Sequence, residues 1–170
     1  NHPTIDTNTI VRGFRITDGF VSGSSANGGG IYISACSPKF VSDAITGNHI
    51  AAVNWGYGAG VYCNASSAIF YNSTIALNVT DSSSWGYGGG IYTTGAGNMK
   101  LNKVKIYGNI IRSNSWNHGA GAHFSGTSVT ITNCIISNNL ADTSAIWAYG
   151  AGLYAENAKI SVIRTKIIGN

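Results

Sequence analysis

Charged residues are scarce in this sequence of 170 residues. Asp, Glu, Lys and Arg make up 9% of the chain, whereas about 25% is usual for a soluble domain. Ten basic and six acidic residues give a net charge of +4, and no three basic residues stand in a row. Nucleic-acid-binding proteins cluster their Lys and Arg residues. We therefore assign the charge to solubility and expect no nucleic-acid partner.

Cysteines and long apolar runs are also scarce. The three cysteines, Cys36, Cys63 and Cys134, cannot form a complete set of disulfides, and no pair has the C-x-x-C spacing of a metal site. No apolar run approaches the roughly 20 residues that cross a bilayer. The sequence opens on "NHPTID" with neither an initiating Met nor a signal peptide. We expect one domain over residues 1–170, processed or cut from a longer secreted protein, with no metal, cofactor or membrane span.

A glycine-rich motif returns at a regular interval. It reads "WGYGAGVY" at 55–62 and "WGYGGGIY" at 85–92. Its third glycine recurs in steps of 30, 30, 31 and 31 residues, at Gly30, Gly60, Gly90, Gly121 and Gly152. An I-x-x-N landmark recurs in steps of 30, 31, 30 and 31 residues, with its asparagine at Asn48, Asn78, Asn109, Asn139 and Asn170. A fixed period with single-residue insertions that leave the flanks in register is typical of a solenoid.

The segments between these landmarks have the alternating apolar pattern of half-buried strands. Equivalent positions keep their residue type from copy to copy, as in the series Ile45, Ile75, Ile106, Ile136 and Ile167. We predict an all-β, right-handed parallel β-helix with about 30 residues per coil and five to six coils. Left-handed coils use shorter hexapeptide repeats, and a propeller blade needs about 40 residues.

The repeats also resemble a known family. "GGGIY" followed by "TITNCIISNN" is similar to the right-handed β-helix repeats of bacterial surface and secreted proteins, which belong to the broad pectate-lyase-like superfamily. The Gly-Gly-[Gly/Ala]-Ile motifs of polymorphic outer-membrane proteins are similar too. The resemblance covers the chain from about Val11 onward. It implies the fold alone, because the shared residues are glycines, inward aliphatic residues and turn asparagines.

Aromatic residues occupy three columns of equivalent positions. One column, which we interpret as an outward ligand or partner platform, contains Tyr32, Tyr62, Tyr92, His123 and Tyr154. The other two contain Trp55, Trp85, Trp116 and Trp147, and Tyr57, Tyr87, His118 and Tyr149. Stacked rings stabilise a fold by roughly 0.5–1.5 kcal/mol per pair beyond the area they bury, so all three columns are also candidates for a purely structural role. We expect the tryptophans to close the core beneath a turn.

Two further series read as scaffolding. The landmark asparagines Asn48, Asn78, Asn109, Asn139 and Asn170 are expected to bond to the backbone of adjacent coils. Asp81, Arg112 and Asp142 are expected to form an exposed column of ion pairs. Asn64, Asn72 and Asn78 match the glycosylation pattern N-x-[ST].

No catalytic group is recognisable. Polysaccharide hydrolases need clustered carboxylates, whereas the six acids here are dispersed, and His118 and His123 stand where other coils have tyrosine. The sequence predicts a non-enzymatic extracellular structural or adhesive module of a cell surface, with end-to-end self-assembly into a filament as one form of it. Its expected partners are itself, other cell-envelope proteins and glycans. The alternative is a carbohydrate-binding or polysaccharide-cleaving β-helix protein.

Overall fold

The computed structural model describes residues 5–170, which form short strands in four sheets. The first sheet contains Ile10–Arg12, Lys39–Val41, Ile69–Tyr71, Asn98–Asn102, Ser128–Thr132 and Lys159–Ile163. The second contains Arg15–Thr17, Ala44–Thr46, Thr74–Ala76, Lys105–Tyr107, Ile135–Ser137 and Lys166–Ile168. The third contains Phe20–Asn27, His49–Tyr57, Val79–Ser82, Trp85–Tyr87, Ile110–Ser113, Trp116–His118, Leu140–Ala141 and Trp147–Tyr149. The fourth contains Ile31–Ser34, Val61–Asn64, Ile91–Thr94, Ala122–Ser125 and Leu153–Glu156. Within residues 5–170 there is no helix long and apolar enough to cross a membrane.

Every strand pairs in parallel with its equivalent in the next coil. Ile75, for example, lies between Ile45 and Ile106 in the second sheet. The chain therefore winds as a parallel β-helix with about 30 residues per coil, which confirms the fold predicted from the repeat.

The inside of the coil is filled by apolar columns. Ile45, Ile75, Ile106 and Ile136 each have 0% exposed surface. The rings of Phe40 and Phe70 stack with centroids 4.8 Å apart. Burial of one such side chain contributes about 1.5–3 kcal/mol, so the columns hold successive coils together. In the last coil, Val162 and Ile167 are each 46% exposed, because no described residue lies over them.

The turn between the second and third sheets is built on the landmark asparagines. Asn78 Nδ2 donates to Asn109 Oδ1 at 2.9 Å and to the Ile45 carbonyl at 3.1 Å. Asn78 Oδ1 in turn accepts the N–H of Asn48 at 3.0 Å. The same bonds recur down to Asn170, whose Oδ1 accepts the N–H of Asn139 at 3.1 Å. This asparagine ladder satisfies buried backbone groups that no strand covers.

The third glycine of each repeat lies against this ladder. A Cβ on Gly60 would stand 2.8 Å from Asn78 Nδ2 and 2.5 Å from the Gly90 carbonyl oxygen. No side chain fits in that space. The close backbone approach therefore explains why glycine recurs here.

Candidate partner-binding surface

The aromatic columns meet at the outer corner between the third and fourth sheets. Rings within a column stack at the strand spacing: Tyr32 and Tyr62 have centroids 5.0 Å apart, and Tyr57 and Tyr87 are also 5.0 Å apart. The two tyrosine columns also touch each other, because Tyr57 lies 4.9 Å from Tyr92 in the next coil. The corner is thus covered by one continuous layer of rings.

Gly58 makes this corner possible. It has a φ of +62°, and a Cβ there would collide with the Val61 carbonyl and lie 3.1 Å from Tyr92 Cβ. The chain turns at this point, so the alternation of inward and outward side chains does not continue through it. Trp55 and Tyr57 lie on the outer face of the third sheet, whereas Val61 is fully buried.

The prediction that the tryptophans close the core beneath a turn is therefore wrong. Their side chains form an outer column with centroid distances of 6.2, 6.0 and 5.9 Å along Trp55, Trp85, Trp116 and Trp147. Trp55 is 43% exposed, Trp85 39% and Trp147 49%. The alternation of inward and outward side chains does not run unbroken from residue 55 to residue 61, because the turn at Gly58 resets it.

The platform column is less exposed than predicted. Tyr32 is 56% exposed, but Tyr62, Tyr92 and Tyr154 are only partly exposed, and His123 is completely buried. Rings of the neighbouring column cover His123 from the side, with Tyr87 5.3 Å away. His123 consequently cannot belong to an exposed platform, and the tryptophan column presents the larger accessible surface.

The two histidines of the corner are held neutral. His118 and His123 stack with centroids 5.8 Å apart, and neither has a hydrogen-bond partner for its ring nitrogens. Burial, with a further contribution from His118, lowers the pKa of His123 to about 3, and burial lowers the pKa of His118 as well. Glu156 Oε1, 3.5 Å from His123 Nε2, favours the charged ring, but burial outweighs it.

The tyrosines of the corner are neutral too. Burial raises the pKa of Tyr92 to about 12, and it also raises the pKa values of Tyr57 and Tyr62. Together with the neutral histidines, they make the whole ring layer uncharged at neutral pH. We call the three columns together the aromatic band.

A shallow polar groove runs beside the tryptophans on the third sheet. Its charged members are Asp81, Arg112 and Asp142, among serines and alanines. Asp81 is bonded on both sides, by His49 Nε2 at 2.8 Å and by an Arg112 guanidinium nitrogen at 3.4 Å. Asp142 instead accepts the N–H of Ser144 at 3.0 Å. Asp81 and Arg112 therefore form an ion pair, with His49 bonded to the same carboxylate, and Asp142 bonds within the loop at 142–146 instead.

The repeat does not reveal the bond between His49 and Asp81, because the two residues occupy different columns. The two residues are 32 positions apart and meet diagonally across adjacent strands. A comparison of equivalent positions, which are 30 or 31 residues apart, does not find such a pair.

The acidic groups are dispersed in the part of the chain that the structure describes. Asp43 is 2% exposed, and its carboxylate oxygens accept the N–H groups of Phe14 and Val41. No cluster of three His, Cys, Asp or Glu residues suited to a metal ion occurs within residues 5–170. Glu156 accepts the Ser125 hydroxyl at 3.0 Å.

The glycosylation candidates differ in access. Asn72 is exposed in the turn between the first and second sheets, and Asn64 is half-buried at the end of a strand. Asn78 is 0% exposed and fully bonded within the asparagine ladder. It cannot accept a glycan in the folded protein.

Comparison with known proteins gives a family. A family model described as a right-handed β-helix region matches residues 1–170. No curated protein and no solved structure matches the chain. The match confirms the right-handed coil predicted from the repeat, and the parallel sheets agree with it. The chain belongs to the right-handed β-helix family.

Proposed function

We propose that this protein is a non-enzymatic structural or adhesive module of an extracellular surface, and that it contacts its partner through the aromatic band. The observation that carries the proposal is the row of exposed indoles along Trp55, Trp85 and Trp147. Tryptophan and tyrosine are enriched at protein interfaces, where a few of them supply most of the binding energy.

The band has further properties of a binding surface. Its rings are fixed by stacking on their neighbours, so little conformational entropy is lost when a partner orders them. Exposed apolar area that is contiguous over several coils marks interaction sites more often than isolated apolar residues do. The low charge and the uncharged polar composition support a secreted protein. Another copy of the chain, a cell-envelope protein or a glycan would fit this surface.

Carbohydrate binding is the second candidate, and the groove favours it. Asp81, Arg112 and several serines line the groove next to the indoles. Ligand sites of this kind combine flat apolar walls with a few polar groups that fix orientation. A neutral sugar chain laid across the coils would meet rings on one side and hydrogen-bonding groups on the other.

The test is a double substitution, Trp55→Ala with Trp85→Ala. We expect it to reduce adhesion to the source cell surface, self-association in analytical ultracentrifugation, or binding on a glycan array by at least tenfold, because two central rings are removed. The matched control is Phe14→Ala with Leu77→Ala, which removes two apolar side chains 60% and 58% exposed outside the band. Circular dichroism would establish that both variants remain folded.

The outcomes separate the candidates. Loss of glycan-array binding alone identifies the carbohydrate-binding protein, whereas loss of adhesion or self-association identifies the structural module. Cleavage of a panel of uronic-acid polymers by the unaltered protein would contradict the non-enzymatic assignment. Unchanged behaviour of the tryptophan variant in all three binding assays would overturn the role of the band.

A further inference from the structure

The basic residues gather on one side of the β-helix. Nine of the ten Lys and Arg residues lie in the first sheet, the second sheet or the turn between them. They are Arg12, Arg15, Lys39, Lys100, Lys103, Lys105, Lys159, Arg164 and Lys166. The remaining one, Arg112, lies in the third sheet. We call the nine residues the basic stripe; it occupies the corner diagonal to the aromatic band.

Register within the sheets aligns the stripe along the axis. Lys105 and Lys166 both pair with Ile135, one from each side, so they are two coils apart in one column. Lys103 and Arg164 occupy equivalent turn positions beside them, with φ of +56° and +46°. At a strand spacing of about 4.8 Å, cations two coils apart are separated by about 10 Å.

These cations are not neutralised by carboxylates. Among residues 5–170, the carboxylates that lie within 4 Å of a basic nitrogen are Asp81, beside His49 and Arg112, and Glu156, beside the neutral His123. All of these residues lie outside the stripe. Asp43, in the turn between the two sheets, is buried against backbone N–H groups. Asp18 is exposed after the strand Arg15–Thr17 and makes none of these contacts. Cations about 10 Å apart lie at the Debye length of about 10 Å in 0.1 M salt, so their fields are partly screened there and add more fully at low ionic strength, where the Debye length is about 30 Å at 0.01 M. The stripe is therefore a strongly positive surface on a weakly charged protein.

The shape of the corner favours a linear partner over a planar one. The residue after each turn position points inward, as the fully buried Val104 after Lys103 shows. The chain bends there, so the first and second sheets face different directions. A flat membrane would meet the two sheets at different angles, whereas a polymer that follows the axis passes residues of both. Five strand steps of about 4.8 Å give the stripe a length of about 24 Å.

Exposed tyrosines lie among the lysines. Tyr71 ends a strand of the first sheet and is 37% exposed, and Tyr107 ends a strand of the second sheet, two residues after Lys105, and is 38% exposed. Lys103 Nζ lies 5.6 Å from the centre of the Tyr71 ring and 3.5 Å from its hydroxyl. Lysines bind phosphates as point charges, and exposed aromatic rings beside a basic track stack bases without regard to sequence.

We propose that the basic stripe binds single-stranded nucleic acid, with phosphates against Lys103, Lys105 and the cations two coils away, and with bases on Tyr71 and Tyr107. The absence of a basic run had argued against such a partner, but in a solenoid cations come together across the repeat. The stripe shares no residue with the aromatic band, and so the two proposals stand or fall separately.

The primary test is fluorescence anisotropy with a labelled 20-nucleotide oligo(dT) at increasing NaCl concentrations. Each phosphate contact on a single strand contributes about −0.7 to the slope of log K against log salt concentration. The double variant Lys103→Gln with Arg164→Gln should bind at least tenfold more weakly at 50 mM NaCl and lower the steepness of this slope by about 1.4. The control, Ser24→Glu with Thr143→Glu, changes the net charge equally on exposed positions away from the stripe and should leave the slope unchanged.

A second variant tests stacking separately from charge. Tyr71→Ala with Tyr107→Ala should weaken oligo(dT) binding by at least tenfold without altering the salt slope, since stacking contributes about 1–3 kcal/mol per base. Circular dichroism and thermal unfolding would establish that the variants are folded. Absence of oligo(dT) binding at 50 mM NaCl overturns the proposal. So does equal affinity for dextran sulfate at matched charge, which would assign the stripe to acidic polysaccharides, or tighter binding to phosphatidylglycerol vesicles, which would assign it to a membrane surface.

Discussion

Replacement of Asn109 by alanine should remove a large part of the stability of the protein. Asn109 is 0% exposed. Its Oδ1 accepts both the N–H and the side-chain amide of Asn78 at 3.1 and 2.9 Å, and its Nδ2 donates to the Ile75 carbonyl at 3.0 Å and to Asn139 Oδ1 at 2.9 Å. Without Asn109, the Asn78 N–H has no partner, which costs about 1–3 kcal/mol for a buried group.

Three other groups also lose a hydrogen bond to Asn109: Asn78 Nδ2, the Ile75 carbonyl and Asn139 Oδ1. Each of them keeps another partner, so the loss of each bond costs about 0.5–1 kcal/mol. The expected total is therefore about 4 kcal/mol of unfolding free energy. The Asn54→Ala variant is the control, because Asn54 is exposed and its amide makes a single bond, to Ser24 at 3.0 Å. It should cost under about 1 kcal/mol.

Urea unfolding followed by far-UV circular dichroism measures both variants. Asn109→Asp sharpens the test, because it keeps the acceptor for Asn78 but places an oxygen against the Ile75 carbonyl. We expect this variant to be destabilised at pH 7 and to recover partly at pH 4, where a protonated carboxyl can again donate. A loss below about 1 kcal/mol for Asn109→Ala would refute the view that the ladder holds the coils in phase.

Three other predictions concern the core, the glycine and the histidines. Phe70→Ala should cost about 3–5 kcal/mol in urea unfolding, because it leaves a cavity under the ring of Phe40. Gly60→Ala should lower the thermal midpoint, whereas Ala96→Gly, at an exposed position, should change it little. Burial lowers the pKa of His123 in the folded protein to about 3, whereas a histidine in the unfolded chain has a pKa of about 6.5. As the pH falls below about 6.5, the unfolded chain therefore binds a proton at this residue and the folded protein does not. The free energy of unfolding should drop by about 2 kcal/mol between pH 7 and pH 5. A His123→Tyr variant, which restores the residue type of its column, should lose most of this dependence, and an unchanged pH profile would contradict the neutral state of His123.

Contacts between residues at equivalent positions of successive repeats could be predicted from the sequence. Ile45, Ile75 and Ile106 stack because a parallel register places each residue on its equivalent, and this follows from the spacing alone. The asparagines of the second landmark meet in the structure for the same reason. Periodicity is thus sufficient for the fold and for the members of each column.

Two kinds of feature could not be predicted in this way: whether a side chain points into or out of the coil, and which residues of different columns meet. The outward placement of Trp55 follows from the turn at Gly58, which a pattern of alternation does not reveal. The His49–Asp81 bond joins two columns. The basic stripe joins several columns that are far apart in the chain, and it becomes visible only after residues are arranged by their position within the coil.

The aromatic band and the basic stripe should differ in how strongly their binding affinity depends on salt concentration. The aromatic band is uncharged at neutral pH, because burial holds His118 and His123 neutral and a phenol group is protonated at that pH. Binding through the band should therefore change less than twofold between 50 and 500 mM NaCl, since apolar contacts carry no screened charge. Binding through the basic stripe should fall steeply over the same range. A partner of the band whose affinity followed the steep salt dependence would have to reach the stripe as well, and the Lys103→Gln with Arg164→Gln variant would then weaken that partner too.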